Sequence, residues 1–237
     1  MKLKHFYSKV MDCSLTPKEC LLAVKSKKTG DAPRGFLFKE GIRPDILVVA
    51  KNPGTTSSKE KEYYKGKSGQ ELIKSHLKFN VDRMTGKFQI PSKIRKFQPN
   101  RRRYLLYILD IHKKLMPYKE FIKDRDIYKD EEQIAEKCFF TNLFKCSTED
   151  KRITIHNKDF STCYNEHFKD ELEIINPKVI IAAGREVNGF LTTLKKQGKL
   201  SIPFVKVKHF SLSYPLVSEK NELKKIKTQI QKVIKNE

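Results

Sequence analysis

The chain contains no apolar run long enough to span a bilayer, and its N-terminus, Met-Lys-Leu-Lys-His, lacks the apolar core of a secretion signal. Both absences speak against a membrane or exported class, so a soluble, cytoplasmic protein with no membrane partner is expected. Cysteine is sparse, with five in 237 residues. In a reducing compartment these are thiols or metal ligands rather than disulfides. No internal repeat and no linker interrupts the sequence, and a single domain over 1–237 is expected. Acidic residues are also short: 28 Asp+Glu stand against 50 Lys+Arg, a formal charge of +22. Hydrophobic content of 38% with 15 Phe excludes a disordered polycation. A folded domain of this charge implies a polyanion partner, most simply nucleic acid. A lysine-rich proteome accounts for part of the excess. It does not account for Lys93–Arg103, which holds six cations in eleven residues.

Four short apolar runs read as strands: 46–50, 138–144, 179–183 and 202–207. Helical patterns are expected from Ser68 through Leu77, over 104–115, at about 160–175 with Pro177 as the stop, at 185–195 and over 216–235. Strands alternating with helices predict a three-layer α/β/α fold around a central, mostly parallel four-stranded sheet, doubly wound. Residues 80–135 read as a basic insertion, with 80–103 a long polar loop.

Two segments place polar groups directly after apolar runs. Ile46–Ala50 is followed by Lys51-Asn52-Pro53-Gly54, where Pro and Gly force a turn. Ile202–Val207 is followed by Lys208-His209-Phe210-Ser211. Asn52 and His209 are thereby delivered to strand ends, where open α/β sheets bind ligands. Asn142, inside a strand, is a third candidate because Asn is depleted there.

Taken in order, these segments resemble the uracil-DNA glycosylase superfamily. Ala50-Lys-Asn-Pro-Gly54 is similar to its first catalytic motif in the Asn-Pro-Gly version. Tyr64-Lys-Gly-Lys-Ser-Gly-Gln70 resembles the aromatic-X-Gly-Arg-Ala-Gly-Gln segment of the iron–sulfur branch, and Phe140-Thr-Asn-Leu-Phe-Lys-Cys146 its Thr-Asn-Val-Val-Lys-Cys strand. Cys163 followed by Ile175-Asn-Pro-Lys-Val-Ile-Ile-Ala-Ala-Gly184 resembles the next block, and His209-Phe-Ser211 stands where the family has His-Pro-Ser. The resemblance runs from about 46 to 215, outside the insertion.

It implies a DNA glycosylase. Such an enzyme flips a nucleotide from the stack and hydrolyses the bond between base and deoxyribose through an oxocarbenium-like transition state. By resemblance, Asn52 positions the water and His209 donates to the carbonyl oxygen of the leaving pyrimidine. Tyr64 stacks on the base, and Asn142 reads its edge with one acceptor and one donor group. Ser211 and Ser213 grip phosphates, and Lys67, Arg101, Arg102 and Arg103 are further DNA contacts. Lys51, in place of an apolar or amide residue, faces the base or the sugar. The partner is double- or single-stranded DNA, and the protein a monomer.

The resemblance also implies metal ligands: Cys13, Cys20, Cys146 and Cys163, suited to a [4Fe–4S] cluster. Cys146 and Cys163, with sixteen residues between them, fit the branch well, but six residues separate Cys13 and Cys20 where a tighter pair is usual. Zinc or free thiols are the alternatives. Cys138 reads as buried packing. Phe210 in place of Pro, Lys51 and the insertion all concern the base pocket. Uracil and a modified pyrimidine of phage DNA therefore both remain as substrates, the first for repair and the second for antiviral defence. Two non-hydrolytic readings stand beside these: an inactive nucleic-acid-binding protein on the same fold, and one that traps its abasic product covalently.

Overall fold

The computed structural model describes residues 2–16, 19–20, 39, 41–52, 62, 65–67, 71, 98–121, 133–146, 157–209 and 216–235. The turn at Pro53-Gly54, the helix expected from Ser68 and residues 80–97 lie outside them.

The strands are β1 (Ile46–Ala50), β2 (Cys138–Asn142), β3 (Val179–Ala183) and β4 (Phe204–Val207). The helices are α1 (Lys2–Met11), α2 (Gln98–Ile108), α3 (Tyr118–Phe121), α4 (Asn157–Cys163), α5 (Lys169–Ile175), α6 (Arg185–Lys196) and α7 (Leu216–Lys235). All four strands pair in parallel, in the order β2-β1-β3-β4, with Ala50 opposite Asn142 and Ala183 opposite Val207. The first three are buried along their whole length. That is why their sequences are unbroken apolar runs instead of alternating ones.

Alternate residues of each strand feed two separate cores. Leu47, Val49, Phe139, Ile180 and Ala182 pack with α1, the 157–175 region and α6. Ile46, Val48, Cys138, Phe140, Ile181 and Val207 pack with α2, α7 and the helical turn at 133–137. Helix α6 shows how sequence dictates layer: Val187, Phe190, Leu191 and Leu194 recur at helical spacing and are all buried on one stripe. The result is the expected three-layer α/β/α sandwich. Cys138, as expected, is buried packing, on the sheet face opposite the other four cysteines.

The chain leaves β1 through α2 on one face to reach β2. It then crosses by α4–α5, and later by α6, on the other face. Winding therefore reverses between β1 and β3, and the crevice outside their C-terminal ends is the switch point of the sheet.

Several boundaries differ from the sequence expectation. The strand at 138 ends at Asn142, and the strand expected from 202 begins at Phe204. The helix expected over 104–115 instead spans 98–108. It ends early because Asp110 takes a left-handed conformation (φ 59°), and the Ile111 and His112 amides close back onto the Leu106 carbonyl at 2.9 Å. It begins earlier than expected, and within it Arg103 finds partners inside the protein. The expected insertion is thus partly core, since Tyr104 through Leu109 are all buried against the sheet. Between α4 and α5 the helix loosens to a π turn, with the Lys169 amide bonding the Tyr164 carbonyl. Asn176 (φ 46°, ψ 60°) then caps α5 before Pro177.

Candidate active site at the sheet switch point

Parallel strands deliver every exit to one edge. Asn142 ends β2, Lys51 and Asn52 follow β1, Gly184 follows β3, and His209 lies two residues past β4. The exits of β1 and β2 are locked together past the last strand pair. The Leu143 amide bonds the Ala50 carbonyl at 2.8 Å, and the Phe144 amide bonds the Lys51 carbonyl at 2.9 Å. The exits of β3 and β4 are joined by the Gly184 amide and the Val207 carbonyl at 2.9 Å. Asn52 and His209 therefore flank β3 from either side, about two strand spacings or ~10 Å apart across the sheet. Both are partly exposed, while Asn142 is only 3% exposed.

Gly184 is required by its backbone. Its φ of +99° lies where side chains are strained, and His209 is its neighbour: a β-carbon there would sit in ordinary contact, 3.6 Å from His209 Cβ. The glycine thus supplies the turn that brings the β3 exit beside His209. Lys51 reaches across the crevice from β1 to the start of α6, where its Nζ bonds Glu186 Oε1 at 3.1 Å. The Glu186 carboxyl is held below the usual carboxylate range, first by its own backbone N–H at the helix start and then by Lys51. The sequence reading missed Glu186. No pattern marks it, because only the fold brings α6 opposite β1.

The other site candidates fall in three groups. Lys67 lies just after Gly66, which turns with φ 75°. Tyr64, Ser211 and Ser213 lie outside the described residues. Arg101 and Arg102 lie on α2, but Arg103 corrects the expected DNA contact. It is 5% exposed, and its guanidinium pairs with Glu219 Oε1 at 2.5 Å and donates to the Met116 carbonyl at 2.7 Å. Through its pair with Glu219 it faces α7 and not solvent.

Cys13, Cys20, Cys146 and Cys163 are all buried and belong to one core cluster. They come from the segment after α1, the exit of β2 and the end of α4. Among the described residues no three His, Cys, Asp or Glu side chains are gathered closely enough to hold a metal ion. The Cys163 thiol is pushed up to about 12 by burial, against the charge and backbone N–H of Lys145, with Cys20 and Cys13 raising it further. His167 Nε2 lies 3.2 Å from Cys13 Sγ, and burial lowers the imidazole to about 4, so it is neutral there. The sequence alone gave His167 no context. Its partner lies 154 residues away.

Just behind Asn142 lies a buried polar network of Tyr7, Thr141, Lys145 and Glu171. The lysine could have been singled out in the sequence, since a charged residue directly follows an apolar strand there.

A search of curated proteins finds none that matches the chain. A scan against family models matches one described as "Uracil DNA glycosylase superfamily" over residues 38–235. That span runs from before β1 to the end of α7, and so takes in all four strand exits. The chain belongs to the uracil DNA glycosylase superfamily.

Proposed function

We propose that the protein is a monofunctional DNA glycosylase. It hydrolyses the N-glycosidic bond of a flipped-out uracil or modified pyrimidine and leaves an abasic site. The observation that carries this reading is the delivery of Asn52 and His209 to the two sides of the switch-point crevice in a member of this superfamily. Asn52 orients the attacking water; a neutral amide is a poor base, so it acts by placement. His209 donates to the pyrimidine oxygen that gains charge as the base departs. Asn142 reads the base edge from the floor of the crevice, and Tyr64 stacks on the base. Lys51, held by Glu186, serves as a fixed cation beside the base or sugar. The test is base release from defined DNA, with abasic sites revealed by alkali.

DNA would be held through phosphates by Ser211, Ser213, Lys67, Arg101 and Arg102, in the cytoplasm and by a single chain. Arg101→Ala/Arg102→Ala is expected to reduce the slope of log Kd against log salt by about 2, with single-turnover excision little changed. Anisotropy titrations at several salt concentrations measure this, and an unchanged slope removes the pair from the interface. Excision of uracil would place the enzyme in base repair. Excision confined to bulky modified cytosines would place it in defence against phage DNA.

The four buried thiols fit an iron–sulfur cluster in donor type, since all are soft ligands from one core. Cys13, Cys20, Cys146 and Cys163 would hold it. When bound, it supplies structural cross-linking of the N-terminal segment to the exit of β2. Protein purified anaerobically should carry about four irons and four labile sulfides per chain, and Cys163→Ser should lose most of both. Stoichiometric zinc, or no metal, would reject the cluster without touching the glycosylase assignment.

A further inference from the structure

We infer that the buried network Tyr7–Glu171–Lys145 is a positioning device that fixes the β2 exit and so sets the direction in which Asn142 presents its amide to the base. The inference rests on the proposed base-reading role of Asn142 and adds the residues that control it.

The geometry is fully satisfied. The Lys145 ammonium has three donors. They go to Thr141 Oγ1 at 2.8 Å, the Asn142 carbonyl at 2.8 Å and the Glu171 carboxylate. Glu171 Oε1 also accepts from the Thr141 hydroxyl at 2.7 Å and from the Tyr7 hydroxyl at 2.5 Å. Every member is buried: Lys145 is 2% exposed, and Tyr7, Thr141 and Glu171 are 0%. Burial and the neighbouring Glu171 charge both raise the Tyr7 phenol, so it keeps its proton and serves as a donor.

A buried charge pair of this kind is weak evidence for stability, because apolar residues of equal volume serve a core as well. Its informative feature is where the third donor goes. Lys145 spends it on the carbonyl of Asn142, the last residue of β2. The next two amides, of Leu143 and Phe144, bond the carbonyls of Ala50 and Lys51 at the β1 exit. The peptide plane after Asn142 is therefore held from one side by Lys145 and from the other by the strand that carries Asn52. Thr141 and Asn142 point to opposite sheet faces, so the network grips one face while the amide is offered on the other. Tyr7 extends the grip to α1, which ties the N-terminal segment to the reading edge through one hydroxyl.

The test compares Lys145→Met/Glu171→Gln with the wild type. The pair leaves no unpaired charge and keeps an amide oxygen for Tyr7 and Thr141, but removes the bond to the Asn142 carbonyl. Two readouts are expected to move. Amide exchange at Leu143 and Phe144 should quicken about tenfold or more, with Ile181 in β3 unchanged. Single-turnover excision should fall about tenfold or more at saturating DNA, and Asn142→Ala added to the double variant should cost little further, as groups acting through one another do. Unchanged exchange at Leu143 and Phe144, or losses that multiply independently with Asn142→Ala, would overturn the inference. If Asn142→Ala alone leaves excision intact, the base-reading role fails and the inference with it, whereas a large Asn142→Ala loss beside a silent double variant rejects the network alone. If the double variant does not fold, Tyr7→Phe takes its place. It keeps the charge pair and is expected to shift the same two amides and the excision rate severalfold, and no shift in either would count against the network.

Discussion

Arg103→Ala is expected to lower the unfolding free energy by about 3–5 kcal/mol, which is a large share of the stability of an ordinary domain. The substitution does more than delete a surface charge. Glu219 is 0% exposed, and the guanidinium 2.5 Å from its Oε1 is its cationic partner. Among the described residues Oε2 of Glu219 has no hydrogen-bond partner, so the carboxylate depends heavily on Arg103. Removing the arginine strands a buried anion. It also removes the donor to the Met116 carbonyl and uncovers the Tyr104 ring, over which the guanidinium sits 4.9 Å from the centroid. The same contacts join α2 to α7, so the whole second layer loosens. Urea titration of the single variant measures the loss. Arg103→Met/Glu219→Leu, which removes both charges at similar volume, is expected to recover most of it. A single variant within about 1 kcal/mol of the wild type would show that the pair does not hold the layer. A salt-dependence experiment should therefore vary Arg101 and Arg102 and leave Arg103 intact.

Asn52→Ala is expected to lower single-turnover excision by on the order of 10²–10³-fold while leaving DNA affinity within a few fold. The asymmetry follows from where Asn52 stands. It is a neutral side chain at the β1 exit, so it adds nothing to the salt-dependent phosphate term that dominates binding. Its contribution appears only when a water must be aimed at the sugar carbon. His209→Ala is expected to fall on the same side, because the imidazole acts on charge that appears only as the base leaves. Parallel losses of affinity and rate for Asn52→Ala would instead mean that the residue shapes the DNA-binding surface. Full activity would remove it from the mechanism.

Much of this was legible in the sequence, for identifiable reasons. β1 and β3 are buried on both faces, so Ile46–Ala50 and Val179–Ala183 appear as continuous apolar runs whose ends match the structure to the residue. Polar residues at the ends of such runs go to the sheet edge, which made Asn52 and His209 candidates, whereas Asn142 stood out as an amide inside an expected strand. α2 was mis-framed because its first turns are arginine-rich. A buried arginine looks like a solvated one until its partner is known, and Glu219 lies 116 residues away. The Lys51–Glu186 pair spans 135 residues, and Tyr7–Glu171 spans 164. Pairs of this kind are set by the crossing of layers and leave no periodic trace along the chain. α1 escaped for a related reason. Lys2–Met11 is a mixed, basic stretch, and only the packing of Phe6, Tyr7 and Val10 into the first core reveals its inner face.

The most direct test of the central claim is base release by the wild type beside Asn52→Ala, on a panel of uracil, mismatch and phage-type modified-cytosine DNA. The account predicts release by the wild type on at least one substrate, alkali-labile abasic product, and near loss of both in Asn52→Ala. No release from any substrate, with tight DNA binding intact, would contradict it and leave a binding protein on a glycosylase fold.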